Sequence, residues 1–443
     1  MTAINWNAIT AELSDLEVIT DAKQIAKLSL DYYHFSPILQ AQLADKRGNL
    51  VVRPSDENQV LKIAQVCVQH QIPLVVRGAG TGNYGQCIPL QGGVILDTTK
   101  LNHIKWIQPG IACVEPGVKM ATFDQESRKT GWELRMVPST YRTATIGGFI
   151  GGGSGGIGSI TYGQLRDRGN VLATKVITLE DQPRVISLRG DDVQKVNHAY
   201  GTNGIITELE IALAPAYPWA EIIVTFDDFM TAARFGQALS DADGLIKKLV
   251  SVCAAPIPEY FTALKNYLPQ GKHCALLMIA ESCLEPFQDL VQEHNGEVTY
   301  QKHTQTGSKG ANIAEFTWNH TTLHARSIDP SITYLQTLYF DLERVEHMYR
   351  HFGDEVMIHL EFLRAEGKAV PIGLQLVRYT TELRLNEIIQ YHEENGATIA
   401  NPHTYILEDG GRKVIDPVQL EFKEMVDPHG LMNPGKMRAW WEK

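Results

Sequence analysis

Between about residue 45 and residue 217, short apolar runs alternate with stretches whose apolar positions recur at helical spacing. From Gln59 to Gln69, Val60, Ile63, Ala64, Val66 and Cys67 form one stripe, as on an amphipathic helix. The runs Ile72 to Val76, Val94 to Asp97, Ala112 to Val114, Lys175 to Leu179 and Ile205 to Leu213 read as strands. Ala214-Pro215-Ala216-Tyr217-Pro218 marks a boundary, because proline has no N–H to donate to a sheet ladder. Beyond it, strands are predicted over Ile222 to Phe226, Ala275 to Ala280, Thr333 to Phe340, Val356 to Leu363 and Leu374 to Val377. Helices are predicted over Phe229 to Leu239 and Leu342 to Phe352. Strands followed by helices in this order suit an antiparallel sheet covered by helices, so the chain reads as α+β.

Glycine interrupts that pattern in two places. Arg77-Gly78-Ala79-Gly80-Thr81-Gly82 follows the apolar run that ends at Val76. The segment from Pro138 to Gly163 holds Gly147-Gly148, Gly151-Gly152-Gly153, Gly155-Gly156 and Gly158. Glycine is entropically costly, and it is kept where backbone takes positive φ or lies directly against a ligand. Consecutive N–H groups in such turns cradle phosphate oxygens. Two glycine surfaces in one domain point to a long ligand with a diphosphate in its middle, a nicotinamide or flavin dinucleotide. The Rossmann fingerprint is missing, since Gly78-Ala79-Gly80-Thr81-Gly82 lacks the third glycine at its place and no helical stripe follows. No Gly-Lys-Ser/Thr follows either, which excludes a P-loop.

Several segments in order carry a resemblance. They are Val51-Val52-Arg53-Pro54, Ile72 to Gly82, Val114-Glu115-Pro116-Gly117-Val118, Pro138 to Gly163, Gly201-Thr202-Asn203-Gly204-Ile205-Ile206-Thr207-Glu208 and Asp427 to Lys436. Together they resemble the FAD-linked oxidases and dehydrogenases of the vanillyl-alcohol oxidase / p-cresol methylhydroxylase (PCMH) type. Within that family the chain is most similar to the branch of glycolate oxidase and D-lactate dehydrogenase flavoprotein subunits. The resemblance implies a PCMH-type FAD-binding domain of two subdomains over residues 1–217 (core about 45–217). It further implies an antiparallel-sheet cap covered by helices over 218–405, and a return to the FAD domain over 406–443. FAD is the expected cofactor. The positions expected to hold it are Val76, Arg77, Gly78, Ala79, Gly80, Thr81, Gly82, Pro138, Ser139, Thr145, Ile146, Gly147, Gly148, Gly153, Ser154, Gly155, Tyr162, Gly204, Ile206 and Asn433. The family often attaches its flavin through a histidine in the diphosphate loop and sometimes through a cysteine. Thr81 and Thr143 stand at those positions, so non-covalent FAD is expected.

Oxidising a carbon that bears a hydroxyl needs an acceptor for the hydroxyl proton, and a neutral imidazole suits that task. His403, His359 and His320 are the candidates, with Asn433 at the flavin edge or simply as a turn former. His403 follows Pro402 in a polar loop and is expected to point into a cleft. His320 and His324 are four residues apart and share one face of a helix. His351-Phe352-Gly353-Asp354-Glu355 through His359 departs from the branch's histidine pair by one residue of spacing, and Pro402 stands where a metal-binding glutamate would. No metal is expected. Relatives often clamp a substrate carboxylate with an arginine near residue 320, and here none precedes Arg326; Arg364 and Arg378 are alternatives.

The chain of 443 residues carries 40 basic and 51 acidic side chains, a net charge of −11, which argues against a nucleic-acid partner. No run of 18 apolar residues occurs and the first residues contain acids, so no transmembrane segment and a cytoplasmic location are expected. Six scattered cysteines without a C-x-x-C pair read as reduced thiols. The expected partners are a small hydroxylated substrate, most simply a 2-hydroxy acid, and an electron acceptor: oxygen, a quinone or a redox protein. Oxidation of a sugar, polyol or aromatic alcohol, and an electron-transfer flavoprotein subunit of a larger complex, are the competing readings. Both a homo-oligomer and a hetero-complex stay open.

Overall fold

The computed structural model describes residues 4–153, 155–303, 312–412 and 415–442. Leu50–Arg53, Val94–Asp97 and Leu74–Arg77 form a parallel sheet with Val94–Asp97 in the middle, and Glu17–Ile19 joins its edge antiparallel. Val94, Ile95 and Leu96 are fully buried, as a continuous apolar run in a parallel strand requires. The helix Glu57–Gln69 begins where Asp56 accepts the Gln59 N–H at 2.9 Å, and its stripe packs in one core with the sheet.

A second, antiparallel sheet is built around the long strand Ile205–Pro215, flanked by Ile111–Val114 and Val171–Ile177, with Trp132–Leu134 at its far end. The chain's last segment returns to the first sheet. Leu74 N–H donates to Leu431 O and Asn433 N–H donates to Leu74 O, both at 2.8 Å, beside the strand that leads into the first glycine turn.

The cap is an eight-stranded sheet in the order Glu297–His303, Trp219–Phe226, His273–Ala280, Lys247–Cys253, His359–Ala365, Lys368–Gly373, Thr337–Leu338, Thr398–Ile399. Strand alternation gives it two different faces. Val252, Leu360 and Phe362 pack under the covering helices, including Phe229–Asp241 and Leu342–Phe352. On the opposite face, Cys253, Cys274 and Leu276 share a core with Phe149, Ile157 and Leu209 of the glycine-rich half. Lys248 crosses between the halves: its ammonium lies 2.8 Å from Glu133 Oε1 and donates to Leu134 O at 3.0 Å, in a setting almost without solvent.

Val94–Asp97 and Leu342–Phe352 match the expected bounds, whereas two predicted strands are each broken in two. Thr333 to Phe340 divides into Ile332–Tyr334 and Thr337–Leu338, and Val356 to Leu363 divides into Val356–Met357 and His359–Ala365. In each pair the first piece belongs to a separate three-stranded sheet. Val356 to Leu363 is buried throughout, so no polar alternation marks its change of sheet; in the other stretch Ile332–Tyr334 is buried, while Gln336 and Leu338 are half-buried and Phe340 is exposed. Val171–Ile177 begins four residues before its expected start. Among the described residues, no helix is long and apolar enough to cross a membrane.

Candidate active site

The strand Leu74–Arg77 runs directly into the first glycine turn. Gly80 takes φ +67°, and a Cβ there would collide with the Arg77 guanidinium folded beneath it. Arg77 is 8% exposed and donates to Leu30 O, to Cys87 Sγ at 3.5 Å and to Ala79 O at 3.4 Å. Arg77 therefore props the turn from behind instead of lining the cavity in front, which corrects its expected role.

The second glycine surface centres on the helix Ile146–Gly152. A Cβ on Gly147 would run into Pro116, so that glycine serves close packing. Gly148 and Gly151 differ. Among the described residues, a Cβ on Gly148 would meet only Thr145 Oγ1, at 3.1 Å, and one on Gly151 would meet nothing within 4 Å. Both face a cavity of about 550 Å³, lined by both glycine segments and by the cap. Protein packing gives no reason for glycine at Gly151, whereas a large flat ligand lying on the backbone does. Thr145 Oγ1, at the foot of the helix, is buried without a hydrogen-bond partner among the described residues. The residues present fit a dinucleotide.

Val76, the turn from Gly78 to Gly82, Pro138, Ser139, Thr145, Gly147, Gly148, Gly153, Gly155, Gly204 and Ile206 all line this one cavity. Besides Arg77, three expected cofactor residues do not. Ile146 is core, 2% exposed. Tyr162 lies under the Arg135 guanidinium, 5.3 Å from ring centre to charge. Asn433 is behind the wall, its amide donating to Gln86 O at 2.7 Å and Tyr200 O at 2.6 Å. It thereby braces two residues that do line the cavity. Ser154 lies outside the described residues.

The histidines separate clearly. His320, on the helix Asn319–Ile328, lines the cavity. Burial, helped by His324, lowers its pKa to about 4, so the ring is neutral. His403, expected as the leading proton acceptor, does not line this cavity but a separate, smaller one with Asn401, Thr404 and Tyr405. Its Nδ1 lies 2.7 Å from Ser36 Oγ and its Nε2 2.9 Å from Tyr334 O, and burial lowers its pKa to about 4. A tautomer that donates to the Tyr334 carbonyl has its remaining lone pair engaged by the Ser36 hydroxyl, so His403 is a structural bridge. His359 is fully buried behind the wall, with Nε2 3.0 Å from both Ser251 Oγ and Glu361 Oε1. His351 stacks on Tyr391 at 3.9 Å on another helix face, so the pair His351 and His359 is not brought together. Among the described residues, no three His, Cys, Asp or Glu side chains converge as a metal site.

None of the expected carboxylate clamps lines the cavity. Arg326 donates to Ile332 O and to His34 O, Arg364 to Ile160 O and Asp243, and Arg378 to Asp329 and Tyr260. Among the described residues the cations lining it are Arg142 and Arg166, both from the glycine-rich half. Sequence reasoning missed these, along with Asp31 and Tyr32 from the N-terminal segment and Leu363, Ile372 and Leu374 from the sheet. Nothing local marks them, because tertiary packing alone brings their segments together.

Residues 49–182 match the FAD binding domain family. The glycolate oxidase subunit GlcD of Bacillus subtilis (strain 168) is 24% identical over 424 residues, 88% of each chain. A D-lactate dehydrogenase of Archaeoglobus fulgidus is 27% identical over 198 residues, 42% of this chain and 43% of that one. Among solved structures, alkyldihydroxyacetonephosphate synthase superposes with a TM-score of 0.73 at 14% identity, covering 97% of this chain and 86% of that one, which speaks for the fold. With the two glycine surfaces meeting in one dinucleotide-sized cavity, these matches place the chain in the FAD-dependent oxidoreductases that carry the PCMH-type FAD-binding domain.

Proposed function

We propose that this chain oxidises a small hydroxylated substrate, with a 2-hydroxy acid of the glycolate or D-lactate kind as the leading class, using FAD held without a covalent bond. The observation that carries the reading is one cavity with glycine backbone on one side and a cap wall bearing a neutral histidine on the other. Gly78 to Gly82, Gly148, Gly151, Gly204 and Ile206 would hold the cofactor. When bound, FAD supplies the acceptor for the substrate's hydride. His320 takes the hydroxyl proton at the ring nitrogen not engaged with the Glu315 backbone carbonyl. Thr81 is no nucleophile for a flavin ring, and burial pushes the thiol of the cavity-lining Cys87 up to about 11, which keeps it protonated.

A neutral alcohol is the second reading. Leu323, Leu338, Leu363, Ile372 and Leu374 give the cap side of the cavity an aliphatic part, and among the described residues no lysine or arginine lines it from the cap. Electrons leave to oxygen, a quinone or a redox protein. Anaerobic mixing of the purified flavoprotein with hydroxy acids, polyols and aromatic alcohols tests the proposal: at least one class should bleach the flavin. His320→Ala should slow bleaching about 10²- to 10⁴-fold at unchanged FAD content. Failure of every hydroxylated compound to reduce the flavin would sink the oxidation reading, and an unchanged His320→Ala rate would remove the base.

A further inference from the structure

We infer that Arg142 takes the anionic group of the substrate, and that Glu315 occupies its guanidinium until the substrate arrives. The inference rests on the oxidation reading above and narrows it to substrates carrying a carboxylate. Arg142 and Arg166 are the permanent cations among the described residues lining the cavity. Arg142 belongs to the turn between Pro138 and Thr145, just before the second glycine surface. Glu315 belongs to the short cap helix Ile313–Phe316, just before His320. Arg142 Nε lies 2.5 Å from Glu315 Oε1, so the ion pair joins the two halves of the protein across the cavity they both line.

The pair has the properties of an exchangeable contact. Its side chains are 61% and 31% exposed, and ion pairs so open to water are worth only about 0–1 kcal/mol. A substrate carboxylate offers the guanidinium the same chemistry, with a two-point geometry available to arginine. Displaced from Arg142, the Glu315 carboxylate can turn to solvent. The loop that carries it is held by other bonds. Asn312 Nδ2 donates to Tyr141 Oη at 2.6 Å, Ile313 N–H to Glu221 Oε2 at 3.1 Å, and Trp318 N–H to Glu361 Oε1 at 2.7 Å. Exchange therefore moves a side chain and leaves the backbone in place.

The position also suits the chemistry. The Glu315 backbone carbonyl bonds the His324 ring at 2.9 Å and also engages His320. An anion on Arg142 is thus held beside the segment that presents the proton acceptor. In a 2-hydroxy acid the carboxylate and the reacting hydroxyl sit on adjacent carbons, so the two subsites must be neighbours. An arginine reaching in from the glycine-rich half supplies a charge that the described cap residues lining the cavity lack.

Oxalate, which has a carboxylate beside further oxygens and no hydrogen to lose, is the probe. Titrated into the holoprotein, it should perturb the flavin absorption spectrum. Arg142→Met should weaken it about 10- to 100-fold, the worth of a hydrogen bond to a charged group, with Arg142→Lys in between. Glu315→Gln should tighten it several-fold by removing the competitor. Arg142→Met should raise KM for D-lactate and leave that for 1,2-propanediol unaltered. Equal FAD content and thermal midpoint in the variants exclude misfolding as the cause. Oxalate binding alike in wild type and Arg142→Met, or not at all, overturns the inference, as does a loss seen in Arg166→Met instead. If neutral alcohols bleach the flavin while oxalate leaves it unperturbed, the anion subsite falls and the oxidation reading stands. If no hydroxylated compound bleaches it, the oxidation reading itself falls.

Discussion

Gly151 separates what the fold needs from what the ligand needs. It lies in the last turn of the helix Ile146–Gly152, lines the cavity, and a Cβ placed on it meets no atom within 4 Å. Alanine there should suit the apoprotein, because replacing a helical glycine by alanine gains about 0.5–1 kcal/mol. Leucine projects further, into the space assigned to the dinucleotide. Forcing extra methylenes into a filled site costs about 1–3 kcal/mol, which is about a 5- to 150-fold loss of FAD affinity. The two effects have opposite signs, and that is the test. Urea unfolding of the apoprotein should show Gly151→Ala at least as stable as wild type, while flavin-fluorescence titration of Gly151→Leu shows weakened FAD. Gly158 is the contrast: it takes φ +106°, and its Cβ would land in the Arg135 carbonyl. Gly158→Ala should lower apoprotein stability by at least about 1–3 kcal/mol, the usual cost of such backbone strain. A Gly151→Leu protein that binds FAD with wild-type affinity would refute the placement of the ligand on this surface.

Other outcomes follow from the same geometry. Acid or heat should release all FAD, because Thr81 cannot attach it and the Cys87 thiol is pushed up to about 11; fluorescence retained on the denatured chain would contradict this. Flavin reduction should be flat from about pH 6 to 9 and fall only toward pH 4, as His320, lowered to about 4, becomes protonated; an inflection near 6.5 would contradict that assignment. His403 is held down from 6.5 to about 4, so its contribution to stability is full above 6.5 and is lost as pH falls toward 4. His403→Gln should therefore flatten the acid limb of a melting-temperature profile. Lys248→Met leaves Glu133 buried with Arg128 and the Trp219 N–H as partners, and because one cation remains the loss should stay below the about 3–5 kcal/mol of a fully unpaired buried charge, measurable by thermal unfolding.

Much of the cavity's glycine backbone was legible in the sequence. Glycine turns advertise themselves because their backbone conformation and their bare face are written in residue type at adjacent positions. The turn from Gly78 to Gly82 and Gly148 were read from such local spelling, Gly204 and Ile206 only through the family resemblance, and all line the cavity. The helix Leu342–Phe352 was equally legible, since its stripe and its following Gly353 are local signals. Side chains that act across the molecule were not. His403 and His320 look alike as letters near loops, yet one is locked between Ser36 and Tyr334 and the other faces the cavity. Arg77 and Arg142 each sit beside a glycine segment, and packing turned the first behind the turn and left the second at the cavity beside Glu315. A local pattern sets backbone form, because propensity and periodicity act over a few residues. Which side chains share a cavity depends on contacts such as Arg142 with Glu315, 173 positions downstream in the chain, and these exist only once the cap has closed over the glycine surface.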